Sequence, residues 1–347
     1  PRCRSPSLSE VEGDPQSWST DDLPSPGGTR FRIYTWLPPG SSAALVDTVL
    51  FCLHGAGDVG LTWALVAARL AIDSRLSRSA IVAADFPGHG ETHCATPESE
   101  ADLSVERLVA DTLELIDAVS ARHGGADVVL VGHSLGGAVA TRAAAEGLRR
   151  HPPPPIRAVL LLDTVEGTAL EGLPRTAAWL EARPGSFEST DEAISWAVSS
   201  KMVSSRTAAR ITVPPRLRWD SSAGRWFWRA NIAAAEKFWR GWFEGVSALF
   251  VGLPLPKLLV LGGVDHLDAS LMVANMQGRF RLEVLPQHGH QLHEDRPGEV
   301  AEAFAGFITN VQRQRSALRA RLLSGDRLSG ESSPSSVPTR GGSKRQR

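Results

Sequence analysis

The feature that most constrains this chain is the pentapeptide Gly-His-Ser-Leu-Gly at residues 132–136, which joins two segments of different pattern. Upstream, the apolar run at 127–131 predicts a buried strand, and downstream the alanine-rich segment 137–145 predicts a helix. A strand that turns sharply into a helix presents a serine hydroxyl at the helix N-terminus, and the flanking glycines permit the bend. The pattern predicts that Ser134 is a catalytic nucleophile, the alternative being a serine that only caps a helix.

A serine nucleophile needs a base within hydrogen-bond reach, and in this arrangement the chain order is serine, acid, histidine. Three histidines, His288, His290 and His293, lie in the segment 286–295, after the last strand-like run. His290 follows a glycine and is the predicted base, whereas His288 and His293 are expected to pack the loop. No complementary ligand set for a metal site appears elsewhere, so no metal is predicted.

Two aspartates are candidates for the acid that orients the histidine. Asp163 follows the predicted strand 158–162, and Asp265 follows the predicted strand 257–261. Both are expected at the carboxyl edge of the sheet, where α/β proteins place their sites. Position alone favours Asp265 narrowly and leaves both residues as candidates.

The oxyanion hole is predicted from backbone N–H groups. One donor is Leu135, which follows the nucleophile, and the other is Gly55 or Ala56, in the loop after the predicted strand 48–53. Glycine in this loop allows the backbone to approach a substrate oxygen closely. His54 is expected to orient the loop.

Strand-like and helix-like segments alternate through most of the chain, which predicts a mostly parallel sheet covered on both faces. The segment 166–245 breaks this alternation. It holds seven of the ten tryptophans and no convincing buried strand, so it predicts a cap of helices over the site. Within it, the proline- and arginine-rich stretch 214–225 predicts a mobile surface loop.

The predicted core therefore comprises two parts, 29–165 and 246–315, on either side of this insertion. The terminal segments 1–28 and 316–347 are rich in Ser, Pro and Gly, and both predict disorder, the second as a basic tail.

The chain has 347 residues and a formal net charge of −1, which gives no reason to expect binding to nucleic acid or to a membrane surface. No run of about 18 apolar residues predicts a membrane span. Three scattered cysteines suit a reducing compartment, so a cytoplasmic or nuclear location is expected.

Several segments together resemble the protein phosphatase methylesterase family of α/β-hydrolases. They are the segments 163–169, which reads Asp-Thr-Val-Glu-Gly-Thr-Ala, 236–243, 275–280 and 285–295, with support from the serine pentapeptide and from 85–92. The resemblance runs from about residue 31 to residue 308. It implies an α/β-hydrolase fold with a helical cap insertion.

The resemblance also implies an activity: a serine carboxylesterase, without a cofactor, that removes the methyl ester from the C-terminal leucine of the type-2A protein phosphatase catalytic subunit. The partner would be that subunit's C-terminal tail. In this family the acid lies in an Asp-x-Val-Glu-Gly motif, which implies Asp163 rather than Asp265. Matching positions imply Ser134 as nucleophile and His290 as base.

Two departures from the family pattern stand out. The loop after His54 reads Gly-Ala-Gly-Asp where three consecutive glycines are usual, and the stretch 214–225 replaces an acidic segment. Two other functions stay open on the sequence. One is a small-molecule carboxylesterase with the same triad. The other is a phosphatase-binding inhibitor in which catalysis is secondary.

Overall fold

The computed structural model describes residues 18–263, 267–286 and 289–323. Within these residues, eleven strands form two sheets. They are β1 (Ser19–Pro24), β2 (Arg30–Trp36), β3 (Thr48–Leu53), β4 (Ser79–Ala84), β5 (Asp127–His133), β6 (Ile156–Leu162), β7 (Ser186–Phe187), β8 (Leu217–Asp220), β9 (Arg225–Trp228), β10 (Lys257–Leu261) and β11 (Arg281–Val284).

The described residues also form twelve α-helices. They are α1 (Ala64–Ala71), α2 (Pro97–Ala101), α3 (Val105–Arg122), α4 (Leu135–Gly147), α5 (Glu166–Ala182), α6 (Thr190–Ser199), α7 (Arg206–Thr212), α8 (Glu236–Phe243), α9 (Val246–Gly252), α10 (Ala269–Met276), α11 (Leu292–Asp295) and α12 (Pro297–Leu323). One compact unit extends to Thr309 and contains both sheets, and residues from Asn310 onward belong to a second unit.

The larger sheet has eight strands in the order β1-β2-β4-β3-β5-β6-β10-β11. Strand β2 pairs antiparallel with both β1 and β4, and every other pairing in this sheet is parallel. All residues of β3, β4 and β10 are buried, as expected for central strands covered on both faces. The predicted α/β class with a mostly parallel sheet is confirmed, and β3 and β10 have the predicted bounds.

The prediction of disorder over residues 1–28 is wrong for Ser19–Pro24, which forms the edge strand β1. This segment is polar because only Leu23 is buried in it. Backbone pairing with β2 and an ion pair between Asp22 and Arg32 at 2.8 Å hold it in place. Composition does not reveal pairing of this kind.

The predicted disordered tail also begins too early. Helix α12 continues to Leu323, eight residues beyond the expected boundary at 315. The added residues, Ser-Ala-Leu-Arg-Ala-Arg-Leu-Leu, are mostly strong helix formers, so the helix continues through them.

The insertion at 166–245 contains strands as well as helices, contrary to the expectation of helices alone. Strands β7, β9 and β8 form a three-stranded antiparallel sheet that packs with α6 and α7 around its own small core. The stretch 214–225 is therefore not simply a surface loop, because it contains β8 and because Arg216 is only 2 % exposed. Aromatic residues in β9 favour the strand, since such side chains pack well on a pleated surface.

The turn between β5 and α4 places Ser134 at the carboxyl edge of the larger sheet. Ser134 has φ +51° and ψ −118°, a conformation that costs a non-glycine residue free energy. Gly136 lies so close to the end of β3 that a Cβ on it would collide with the carbonyl oxygens of Leu53 and His54. The absence of a side chain at Gly136 thus allows the sharp turn.

We expect Gly136→Ala to lower the free energy of unfolding by about 1–3 kcal/mol, because an overpacked contact forces the backbone to shift. The matched control is Gly306→Ala in α12, where a Cβ would meet no atom within 4 Å. That change should raise stability by about 0.5–1 kcal/mol, since alanine is the better helix former. Urea denaturation of both variants is the measurement, and equal effects would contradict the steric argument.

Candidate active site

Three predicted residues meet at the carboxyl edge of the sheet and line one pocket. Ser134 follows β5, Asp163 follows β6 and His290 follows β11 along the chain. His290 Nδ1 lies 2.6 Å from Asp163 Oδ2, within hydrogen-bond distance. Among the described residues, no hydrogen bond joins the Ser134 hydroxyl to His290. In hydrolases, the hydrogen bond between the nucleophile and its base often forms or shortens only when substrate is bound.

The environment of His290 suits a base that is held by a carboxylate. Burial disfavours the charged ring, but the hydrogen bond and the negative charge of Asp163 outweigh it and raise the pKa of His290 above its usual value. Its side chain is still 54 % exposed at the pocket opening. The ring is therefore accessible to substrate while Asp163 fixes one of its nitrogens.

His133 connects the end of β5 to the loop that carries His290, a role that sequence analysis did not identify. Its Nε2 donates a hydrogen bond to the His290 carbonyl oxygen at 3.0 Å. Its ring lies between His290 and His293, with centroid distances of 4.6 Å to each. Burial lowers the pKa of His133, so the ring is neutral and carries its proton on Nε2.

The loop after β3 is held by two buried histidines. His54 Nδ1 donates to the Gly55 carbonyl at 2.7 Å, and its Nε2 accepts from the Phe86 N–H at 3.0 Å. Burial lowers the pKa of His54 to about 3, so it stays neutral. Farther along the loop, the Gly57 N–H donates to His89 Nε2 at 3.0 Å. These bonds fix the backbone beside Ser134.

The residues predicted for the oxyanion hole lie in this region. Gly55 and Ala56 line the pocket together with Ser134. Leu135 is the first residue of α4, and the N–H groups of a helix's first turn have no partner within the helix. Its side chain is fully buried, which leaves only its backbone for such a role.

Two candidates, Asp265 and His288, lie outside the described residues. His293 is fully buried against Trp63, and burial lowers its pKa well below the usual value. In the described ranges, no group of three or more His, Cys, Asp or Glu side chains could hold a metal ion. Among the described residues, no helix is both long and apolar enough to cross a membrane.

A buried ion cluster forms part of the pocket wall and was not predicted. Arg216 of the insertion pairs with Asp58 at 3.0 Å and also with Glu294. Asp58 follows the Gly55–Gly57 loop, and Glu294 lies in α11, four residues after His290. Thr212 donates a second hydrogen bond to Glu294. Arg216 therefore connects the insertion to the loops on both sides of Ser134.

The electrostatics of this cluster depend on Arg216. Burial alone would raise the pKa of Asp58, but the positive charge of the Arg216 guanidinium holds it below its usual value. Burial raises the pKa of Glu294 despite the same guanidinium. One cation therefore serves two buried carboxylates, and it stabilises Asp58 as the charged member.

The pocket above Ser134 has a volume of about 640 Å³. Its apolar lining comes from the core residue Val165 and from the insertion, including Leu173, Trp239, Trp242 and Phe243. Trp242 Nε1 also donates to the Leu103 carbonyl at 2.7 Å, which anchors α8 to the core. A pocket of this size and polarity can hold an apolar side chain and a short length of peptide.

Comparison with known proteins identifies the class. Residues 49–303 match the sequence model of the Alpha/beta hydrolase family. The solved structure of E-2-(acetamidomethylene)succinate hydrolase superposes with a TM-score of 0.67 at 20 % identity, covering 84 % of this chain and 99 % of that one. The structural match shows the fold alone. The match to the family model shows that the chain belongs to the α/β-hydrolase family.

Closer relatives narrow the family. A probable protein phosphatase methylesterase 1 of Caenorhabditis elegans is 39 % identical over 262 residues, 75 % of this chain and 68 % of the relative. The protein phosphatase methylesterase 1 of Homo sapiens is 35 % identical over 325 residues, 81 % of this chain and 79 % of the relative. The chain belongs to the protein phosphatase methylesterase family, which confirms the predicted resemblance, and it is a serine hydrolase of the methylesterase type.

Replacing Asp163 by Asn should lower kcat by about 10³–10⁴-fold, because an amide does not stabilise the imidazolium or its productive tautomer. The pH profile of kcat/KM gives a second readout. In the wild type the acidic limb should lie above the usual histidine pKa, because Asp163 favours the charged ring. In Asp163→Asn the limb should move to lower pH. An unmoved limb would contradict the pairing.

Arg216→Met should lower the free energy of unfolding by about 3–5 kcal/mol, because it leaves buried carboxylates without a cation. The loss should shrink on acidification, since protonation neutralises Asp58 and Glu294. The control is Arg218→Met, two residues away, whose side chain is 52 % exposed and 3.9 Å from Asp220. It should change stability by no more than about 0.5 kcal/mol. Denaturant midpoints at two pH values give both results, and equal losses of stability in the two variants would contradict the role of Arg216 in the buried ion cluster.

Proposed function

We propose that this protein hydrolyses the methyl ester on the C-terminal leucine of the type-2A protein phosphatase catalytic subunit, with Ser134 as nucleophile. The observation that carries the proposal is the 2.6 Å contact of Asp163 with His290 beside the Ser134 turn. The relatives are named protein phosphatase methylesterases, and this supplies the class of ester. The protein partner is that subunit's C-terminal tail.

In the first half of the reaction, His290 removes the proton of the Ser134 hydroxyl as Oγ attacks the ester carbonyl carbon. Asp163 accepts the hydrogen bond from His290 Nδ1 and stabilises the imidazolium. The N–H groups of Leu135 and of Gly55 or Ala56 stabilise the oxyanion, and one such donor is worth about 3–4 kcal/mol. His290 then protonates the methoxide group, and methanol leaves.

In the second half, a water molecule gives a proton to His290 and attacks the acyl-enzyme. The bond between the acyl carbon and Ser134 Oγ breaks, and Oγ recovers the proton from the imidazolium. The products are a free C-terminal carboxylate and the original enzyme. These steps need no cofactor, since each proton passes through His290.

The pocket also supports this substrate class. Its apolar lining from Val165, Leu173 and Phe243 suits a leucine side chain next to the ester.

Cys52 and Cys94 are both free thiols in the structure, which fits a reducing compartment. We therefore place the reaction in the cytoplasm or the nucleus.

Incubating the purified protein with the carboxymethylated phosphatase catalytic subunit should remove the methyl ester, as followed by release of labelled methanol. Ser134→Ala should lower the rate by at least about 10³-fold, because it removes the nucleophile. A serine-directed phosphonate should label wild type at Ser134 alone.

Three other outcomes would overturn the proposal in different ways. Cleavage of an aryl ester without demethylation would indicate a small-molecule carboxylesterase. Binding to the phosphatase without hydrolysis of either ester would indicate an inhibitor. Full demethylation by Ser134→Ala would remove Ser134 from the mechanism.

A further inference from the structure

Among the residues that the structure describes, the acidic side chains that line the pocket have charged partners within the protein, whereas three of the basic ones do not. Two carboxylates, Asp58 and Asp163, face it, and both already have partners in Arg216 and His290. No glutamate is part of the described lining. The acidic side chains at the catalytic end of the pocket are therefore already paired within the protein.

Three further cations, Arg175, Arg183 and Lys201, line the part of the pocket contributed by the insertion, and we call them the cationic wall. Within the part of the chain that the structure describes, none of them has a carboxylate at ion-pair distance. The ester group itself is neutral. The wall's charge is thus available to another part of a bound molecule.

Arg183 is held in place by aromatic rings. Its guanidinium lies 4.7 Å from the ring centre of Trp228 and 5.8 Å from that of Trp179. Burial lowers its pKa to about 10, so it stays charged at neutral pH. Arg175 and Trp179 lie four residues apart on one side of α5, and Arg183, four residues later, directly follows the end of that helix.

Lys201 lies in the turn between α6 and α7 with φ +59°, in the left-handed region. A lysine pays a conformational cost there that glycine would not pay. Residues strained in this way cluster at functional sites. The charge of Lys201 is a reason to keep lysine at a position where the backbone favours glycine.

We propose that the cationic wall binds acidic side chains of the substrate tail, upstream of the esterified leucine. This inference rests on the proposed function, since it assumes a peptide ester. It assigns the substrate class as a peptide with Asp or Glu near its esterified C-terminus, selected by charge complementarity with Arg175, Arg183 and Lys201.

The length of α5 sets the position of these acidic residues. Arg175 and Arg183 lie nine and seventeen residues after the start of α5 at Glu166, close to Asp163. At about 1.5 Å per residue they are roughly 14 and 26 Å along the helix from that end. An extended peptide covers these distances in about four to eight residues. The wall therefore contacts acidic side chains within about the last eight residues.

The test uses nine-residue peptides whose last residue is leucine methyl ester. Each carries a single Asp at one of positions two to eight, counted back from the leucine as position one. Each is compared with its Asn counterpart. The wild type should show a kcat/KM roughly threefold to tenfold higher for Asp at one or more positions. The preference should fall in about 0.5 M salt, since ions screen the pairing.

Lys201→Gly and Arg175→Gln should each lower the preference for Asp, and Lys201→Glu should favour a Lys peptide instead. Lys201→Gly should fold at least as stably as wild type, because it relieves the left-handed strain. A loss of selectivity with unchanged thermal stability would separate recognition from folding. The control is Arg150→Gln, which removes one charge from a surface ion pair with Asp117 and does not line the pocket.

The outcomes distinguish the inference from the function on which it rests. Equal kcat/KM for the Asp and Asn peptides at every position would overturn the cationic wall and leave the methylesterase proposal intact. An Asp preference that Arg150→Gln reduces as much as Lys201→Gly would also overturn it, because net charge would then explain the effect. If the wild type demethylates the intact subunit but cleaves no peptide ester, the cationic wall falls alone, and if it demethylates neither, both proposals fall.

Discussion

Helix α4 packs against the end of β3 at a separation that excludes a side chain at Gly136. Because the helix cannot move away from the sheet without losing this contact, the chain must turn within one residue, and Ser134 takes the strained conformation. Hydrogen bonds to β6 and its end hold that residue. The Ser134 N–H donates to Leu162, and Thr164 Oγ1 donates to the Ser134 carbonyl. Asp163 lies between these two partners, so the same backbone that fixes the serine also fixes the proposed acid.

The histidine loop is positioned from two sides. His133, the last residue of β5, holds the His290 carbonyl from the core, and Arg216 holds Glu294 from the insertion. The position of the proposed base therefore depends on both parts of the molecule. A buried ion cluster of this kind adds little net stability compared with a well-packed apolar one, but removing one member is costly. The contribution of Arg216 is geometric, because it joins two loops on opposite sides of one pocket.

Local pattern was sufficient for the parts of the site that depend on neighbouring residues. The turn at Ser134 and strands β3 and β10 each depend on residues that are adjacent in the chain, so periodicity and glycine placement predicted them. Local pattern did not identify the acid, because Asp163 and Asp265 both follow predicted strands. Only the family resemblance favoured Asp163. Arg216 was unpredictable from pattern, since its partner Glu294 lies 78 residues away and a proline- and arginine-rich stretch resembles a surface loop. Strand β1 was missed because an exposed edge strand has no apolar alternation.

Catalysis and recognition are assigned to different parts of this fold, and that division has an energetic consequence. The proposed triad residues and oxyanion donors come from the core, whereas the proposed cationic wall comes from the insertion. Binding energy from groups remote from the ester can hold the reacting carbonyl against Ser134 and so lower the barrier. A small ester reaches the same triad but makes none of the remote contacts. On the proposed function, discrimination against small esters therefore needs no change in the triad, because it follows from what the insertion can and cannot bind.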